Sequence, residues 1–275
     1  MIPLHALALP LMFALMALEA VWSGARGAQV YERRDFAVSM SVLAGNIVAN
    51  GALKGASLAL YLWLHQFAAF DFGVGWWQAV LTLVAIDFVF YGFHRASHRV
   101  RFLWCVHVNH HSSEHMNFGT ALRQPWLTPV VRPLFYWTLP LIGFDPLLTA
   151  TMGSVATLYG FWTHTELIGK LGPLEWVLVT PSHHRAHHGS NPEYIDKNYA
   201  NIFIVWDRIF GTFEEEIAPV QYGLVTNIDT FHPVRVVFHD WRALVSRMVG
   251  AESWWLAVQY AVRPPGWKPH VTALP

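Results

Sequence analysis

Eleven of the sixteen histidines in this chain fall between His94 and His188, and most of them stand in three tight boxes. The boxes are His94-x3-His98, His107-x2-His110-His111 and His184-x2-His187-His188. His183 precedes the third box, and His164 lies between the second and the third. Neutral imidazole is the commonest metal ligand and suits iron, zinc, copper and nickel. One metal takes about three or four such ligands, so eight or nine suffice for two. A shared site forces distant stretches of chain to converge, which constrains the fold more than any local propensity does. Residues i, i+3 and i+4 share one face of a helix. Each box is therefore expected to present its rings in one direction from a single helix. One HxxxH alone reads as unrelated surface or core histidines. Three boxes with helical spacing read as a dimetal site.

Composition says what surrounds that site. The chain has 275 residues, 54% hydrophobic and 13% charged, whereas a soluble domain carries about 25% charged residues. The deficit points to a membrane protein. A formal net charge of zero gives no sign of a nucleic-acid partner, and Cys105, the only cysteine, rules out an intrachain disulfide and a cysteine-type zinc site.

Four regions read as membrane-embedded: Ile2–Val21, Phe36–Phe70, Trp76–Phe93 and Trp126–Trp162. The last is long enough for a hairpin turning at Gly143-Phe144-Asp145-Pro146. No Lys or Arg precedes the first apolar run, so a retained helix is expected rather than a cleaved signal. The expected fold is all-α, a polytopic membrane helical bundle of four to five membrane segments with a cytosolic helical cap carrying the histidine-rich dimetal site. It is expected to form a single domain over 1–275. Arg33, Arg34, Arg95, Arg99, Arg101, Arg185, Lys197 and Arg208 flank the histidine-bearing segments, whereas the turns Asp71–Gly75 and Gly143–Pro146 carry no Lys or Arg. The positive-inside rule then puts all three boxes on the cytoplasmic side of a bacterial inner membrane or an ER-type membrane.

Ligating imidazoles need their second nitrogen fixed by a carboxylate or a carbonyl. Candidate partners are Asp87, Glu114, Glu166, Asp196 and Asp207. Asp87 is the lone charge in an apolar span, a costly placement that usually marks function. Asn198 could donate to a bound oxygen species or to a ligand histidine. Asp87, Glu114, Glu166 and Asn198 are thus the candidate catalytic residues. Arg123 and Arg185 could orient a polar head group or pair with the carboxylates. His183 competes with His184 for the third box, with His184 favoured by its spacing to His187 and His188. His115 is out of phase and reads as peripheral. His5, His65, His232, His239 and His270 are scattered and receive no role.

Longer strings carry a resemblance. They are Tyr31–Asp35, His110–Glu114, Thr120–Gln124, Thr163–Glu166, Leu171–Glu175, Thr180–Gly189, Asp196–Tyr199 and Trp206–Phe213, in that order, over a catalytic region of about 31–225. In this order and with these boxes the chain resembles the fatty acid hydroxylase/sterol desaturase superfamily, and within it the shorter, bacterial-type members of the alkylglycerol monooxygenase branch. The resemblance implies an integral-membrane enzyme with two iron ions and O2 as co-substrate. The implied ligands are His94, His98, His107, His110, His111, His164, His184, His187 and His188, with His164 completing the site after the hairpin. It also implies hydroxylation of a C–H bond in an ether lipid, a fatty-acyl lipid or a sterol.

The residues leave several matters open. Zinc binds imidazole as well as iron does and could substitute in a purified protein. There is no HExxH, no cysteine set for an iron–sulfur cluster and no GxGxxG fingerprint. Electrons must therefore come from outside, from a tetrahydropterin or from a redox protein of the ferredoxin or cytochrome b5 type. A desaturase using the same metals is the alternative reading. A histidine-rich metal transporter is disfavoured, because the spans lack a polar path. The tail, 226–275, mixes arginines with Trp, Val and Leu over Val234–Val249 and Ser253–Val262, as amphipathic helices on the protein or on the membrane surface.

Overall fold

Three long helices come first, as the apolar runs require. In the computed structural model, which describes residues 4–269, α1 spans Leu4–Arg26, α2 Arg33–His65 and α3 Trp76–Arg99. Residues 2 and 3, where the first expected span begins, and residues 270–275, which end the expected tail, lie outside the described residues. Glu32 caps α2 by accepting the Asp35 N–H. A bend of 43° separates Arg33–Gly51 from Leu53–His65. Asn50 donates to the Asn46 carbonyl four residues back, and a side chain competing for the helical ladder beside Gly51 is an ordinary cause of such a bend.

Next come the short α4 (Arg101–His107), a 3-10 turn at His110–Ser112 and α5 (Phe118–Ala121). The region expected to form a hairpin follows, and its first arm is not one helix. It breaks into α6 (Thr128–Val131), α7 (Pro133–Tyr136) and α8 (Thr138–Ile142). Pro129, Pro133 and Pro140 are the cause, since each removes a ladder donor and crowds the preceding turn. The second arm is α9 (Pro146–Trp162), entered through an Asp145 cap that accepts the Leu148 N–H. The turn between the arms lies beside the one between α2 and α3. There the Ala69 N–H donates to the Leu141 carbonyl, 2.8 Å, and Gly143 adopts φ +126°, which suits only glycine.

Helix α10 (Pro181–His188) and α11 (Val205–Ile209) follow, then α12 (Pro233–Val249) and α13 (Trp254–Val262). The two tail helices fall where the amphipathic pattern put them. Helix α12 buries Val236 and Val237 against Val38 and Val42 of α2, and its Asp240 pairs with Arg101 of α4 at 2.5 Å. Among the described residues no strand forms, and the only sheet-like pairings are Leu178 with Phe203 and Gly189 with Tyr222. Ala8–Arg26 and α3 are long and apolar enough to cross a membrane, and the bent α2 makes a third if it counts as one span. Helix α3 packs along α9, and Ile86, Tyr136, Leu139, Phe144, Ala156 and Ile202 form the core between them and the broken arm.

Candidate metal centre

The boxes converge, but not box by box. His94, His98, His107, His111 and His187 form one cluster, and His110, His164, His184 and His188 form a second. Within each, the donor atoms lie within 4.8 Å of one another. Box one, on the last turns of α3, serves the first cluster alone. The second box is not on a single helix. His107 ends α4, and His110 and His111 sit on the 3-10 turn, so neighbouring rings point into different clusters. On α10, His187 joins the first cluster, whereas His184 and His188, four residues apart on one face, join the second. The clusters adjoin, with the His111 and His188 rings stacked at 4.4 Å.

Helix α10 is polar yet wholly buried. Pro181 opens it, where a missing N–H costs nothing. Gly189 follows it, where a Cβ would come within 2.8 Å of the Tyr194 ring. Burying so many polar groups is unfavourable unless each finds a partner. Burial pushes the imidazoles of His107, His110, His111, His184 and His188 well below their ordinary pKa, His164 to about 3 and His187 to about 4. At neutral pH these rings are uncharged.

Their second nitrogens explain what the rings are poised to hold. The Nδ1–H of His94 donates to the Tyr199 carbonyl at 2.7 Å, that of His164 to the Gly160 carbonyl at 2.7 Å and that of His187 to the Lys197 carbonyl at 2.8 Å. A carbonyl can only accept, so in each neutral ring Nε2 is left as a bare lone pair. These lone pairs face other imidazole nitrogens. His94 Nε2 stands 3.1 Å from His107 Nε2, and His164 Nε2 stands 3.2 Å from His110 Nε2 and 2.9 Å from His184 Nε2. The buried Nε2 atoms of His98 and His187 have no protein partner. A cation bound among them would satisfy these lone pairs together, and neutral imidazole suits iron as well as zinc.

The carboxylates expected to hold the imidazoles act one step further out. Asp87 accepts the Ile202 and Phe203 N–H groups at 2.8 and 2.9 Å and the Trp206 Nε1–H at 3.0 Å. Asp207 accepts the Tyr199 and Ala200 N–H groups, each at 2.8 Å, and the Thr212 hydroxyl. Together they fix the loop that offers its carbonyls to His94 and His187. Asp196 is the carboxylate nearest a cluster ring, 3.8 Å from His98 Nδ1. Glu166 is exposed and accepts the Met116 N–H. Glu114 is also exposed and borders a small pocket with His115, Asp35 and Arg123. Neither is paired with a cluster imidazole. The Asn198 amide donates to the His183 and Glu214 carbonyls and accepts the Glu214 N–H, clamping the loop after α10.

Arg185 is an ion-pair residue, with both ends of its guanidinium on Glu216 at 2.7 Å and two further bonds to the Thr165 and Ile168 carbonyls. Arg123 pairs with Asp35 and donates to Ser112, beside His111. His183 lies outside both clusters against Phe213, and His184 lies inside one. Sequence reasoning passed over Trp104 and Tyr199. Trp104 packs on His98 and His111, and Tyr199 on His94, His98 and His187. The Asp196–Tyr199 string contained that signal without its meaning.

Comparisons agree with this geometry. Residues 79–212 match the model of the Fatty acid hydroxylase family. The chain is 37% identical to alkylglycerol monooxygenase of Xenopus tropicalis over 94% of its length and 39% identical to that of Homo sapiens over 95%. It spans 58% and 59% of those relatives. It is also 30% identical to the ornithine lipid hydroxylase OlsE of Rhizobium tropici over 52% of this chain and 43% of that protein. No solved structure matches. The stretch that carries all nine clustered histidines thus matches the Fatty acid hydroxylase family model, in a chain that resembles alkylglycerol monooxygenases along nearly its whole length.

Proposed function

We propose that this chain is an O2-dependent membrane monooxygenase with two irons that hydroxylates a C–H bond of a lipid. One iron is held by His94, His98, His107, His111 and His187, the other by His110, His164, His184 and His188. The observation that carries the reading is the pair of adjoining clusters built from nothing but imidazole. When bound, two irons with O2 supply an oxidant able to take hydrogen from an unactivated carbon. The chain's own residues do the rest. Backbone carbonyls of Gly160, Lys197 and Tyr199 fix three ring orientations, so the donors are set before metal arrives. The burial of every cluster ring but His107, which is partly buried, excludes water from the reacting carbon.

The names of the relatives favour an ether lipid or an amino-lipid as substrate. Hydroxylation next to an ether oxygen would give a hemiacetal, which collapses to an aldehyde and an alcohol. Electrons come from an external tetrahydropterin or a redox protein. The chain is multi-pass in this reading, with four to five membrane segments and a cytosolic helical cap. Arg33 and Arg34 open α2, Arg95 and Arg99 lie on the last turns of α3 that carry His94 and His98, and Arg101 opens α4, which supports a cytoplasmic placement of the boxes.

The test is metal analysis of the purified protein together with lipid mass spectrometry of cells with and without the gene. Two irons per chain and a lipid product with one added oxygen, or the derived aldehyde, are expected. Loss of two hydrogens would instead establish desaturation. A protein that binds no iron after reconstitution would sink the reading.

A further inference from the structure

A second feature adjoins the segment that follows His164. Helix α1, α5 and the segment after α9 enclose an apolar slot of about 420 Å³, within the size range of small-molecule sites, about 300–1,000 Å³. Leu15, Leu18 and Trp22 of α1 form one wall, and Leu167 and Ile168 the other. Its outer rim is open, with Leu18 65% and Trp22 42% exposed on a helix suited to cross a membrane. Thr165, the residue after His164, also lines it.

Two polar residues border the slot, Glu19 and Thr165, and both are occupied elsewhere. Glu19 accepts the Tyr31 hydroxyl at 2.5 Å, the Phe118 N–H at 2.7 Å and the Thr165 hydroxyl. The slot thus offers nothing to a head group or a peptide. The same bonds tie α1 to the His164 segment, and Arg185 ties Thr165 and Ile168 to α10, which carries His184 and His188. The far wall is therefore fixed relative to the second cluster.

We infer that this slot seats the aliphatic chain of the lipid substrate, entering sideways past Leu18 and Trp22 and lying along the Thr165–Ile168 segment. The inference deepens the proposed hydroxylase and rests on it. A chain moving from bilayer to slot exchanges one apolar surrounding for another, so hydrophobic transfer contributes little. Selection among chains must come from steric fit, with Leu18 and Ile168 on opposite walls setting the width available.

The experiment uses the iron-loaded full chain in lipid nanodiscs, with a series of lipids that differ only in alkyl length. Leu18→Trp and Ile168→Trp narrow the slot from opposite walls. Each is expected to lower product from the longest chains at least tenfold relative to the shortest, with iron content unchanged. Val48→Trp, on an exposed position of α2, is expected to leave the profile as in the unaltered protein. An unchanged length profile in both slot variants would overturn the inference. A lipid carrying a diazirine in mid-chain reads the slot independently of turnover. Labelling of the Leu15–Trp22 stretch sustains the inference even if the unaltered protein forms no product, an outcome that removes the hydroxylase reading alone. Labelling elsewhere, with this stretch unlabelled, overturns it.

Discussion

The Nδ1–H of His94 donates to the backbone carbonyl of Tyr199, 2.7 Å away and 105 positions later in the chain. That carbonyl is itself held in place, because the Tyr199 N–H is bound by Asp207. A buried carboxylate, a loop and an imidazole thus form one chain of hydrogen bonds that ends at a lone pair facing the first cluster. Asp207→Ala should leave the buried Tyr199 and Ala200 N–H groups unpaired and let the loop drift. Partners of this kind are worth about 10–100-fold in metal affinity. Competition with a chelator should show a loss in that range, and an unaltered affinity would detach Asp207 from the site.

His188 and His183 are close in sequence and differ in placement. His188→Ala removes a ring of the second cluster and should reduce bound iron to one per chain or fewer and abolish product. His183→Ala removes a ring that packs on Phe213 and should keep both irons. Metal analysis of the two variants side by side checks this. Reversed results would exchange their roles.

Acid should destabilise the metal-free protein. Burial holds His164 at about 3 and His187 at about 4, whereas an unfolded chain titrates near about 6.5. Between those values the unfolded state binds protons that the folded state refuses, so stability rises with pH. The contribution is complete above about pH 6.5 and falls by up to about 1.4 kcal/mol per pH unit for each such ring as pH drops toward its folded value. Thermal melting of apo-protein in detergent at about pH 7.5, 6 and 5 should show a falling midpoint. A flat profile would mean that the rings are solvated.

Arg185→Met should destabilise the fold by about 1–3 kcal/mol, because it removes charge-assisted hydrogen bonds to Glu216 and leaves the Thr165 and Ile168 carbonyls without this partner. Arg185→Lys should recover part of this, since an ammonium cannot span both carboxylate oxygens. Chemical denaturation of the three proteins, each iron-loaded, measures the order. Equal stability of the Met and Lys variants would count against the forked ion pair as the cause.

Several features were open to reading before any coordinates. Apolar runs of helical length gave α1, α2 and α3, because twenty or so apolar residues have few other ways to bury their backbone groups. The histidine spacing singled out eight of the nine rings that gather in space, because i, i+3 and i+4 neighbours share a side of any helix; the ninth, His164, came from the family resemblance. The broken arm before α9 was legible too, in Pro129, Pro133 and Pro140, but overall apolarity outweighed them in the reading.

Only the tertiary structure decided how those nine rings divide. His110 and His111 are adjacent in sequence yet serve different clusters, since a turn after α4 rotates one away from the other. Spacing describes a single segment and says nothing of which distant segment lies opposite. Charge in an apolar span marked Asp87 as important, but its partners are the N–H groups of Ile202 and Phe203, far along the chain. The carbonyls of Gly160, Lys197 and Tyr199 carry no sequence signature at all, because every residue has one. What distinguishes these three is position, and position is set by packing rather than by residue type.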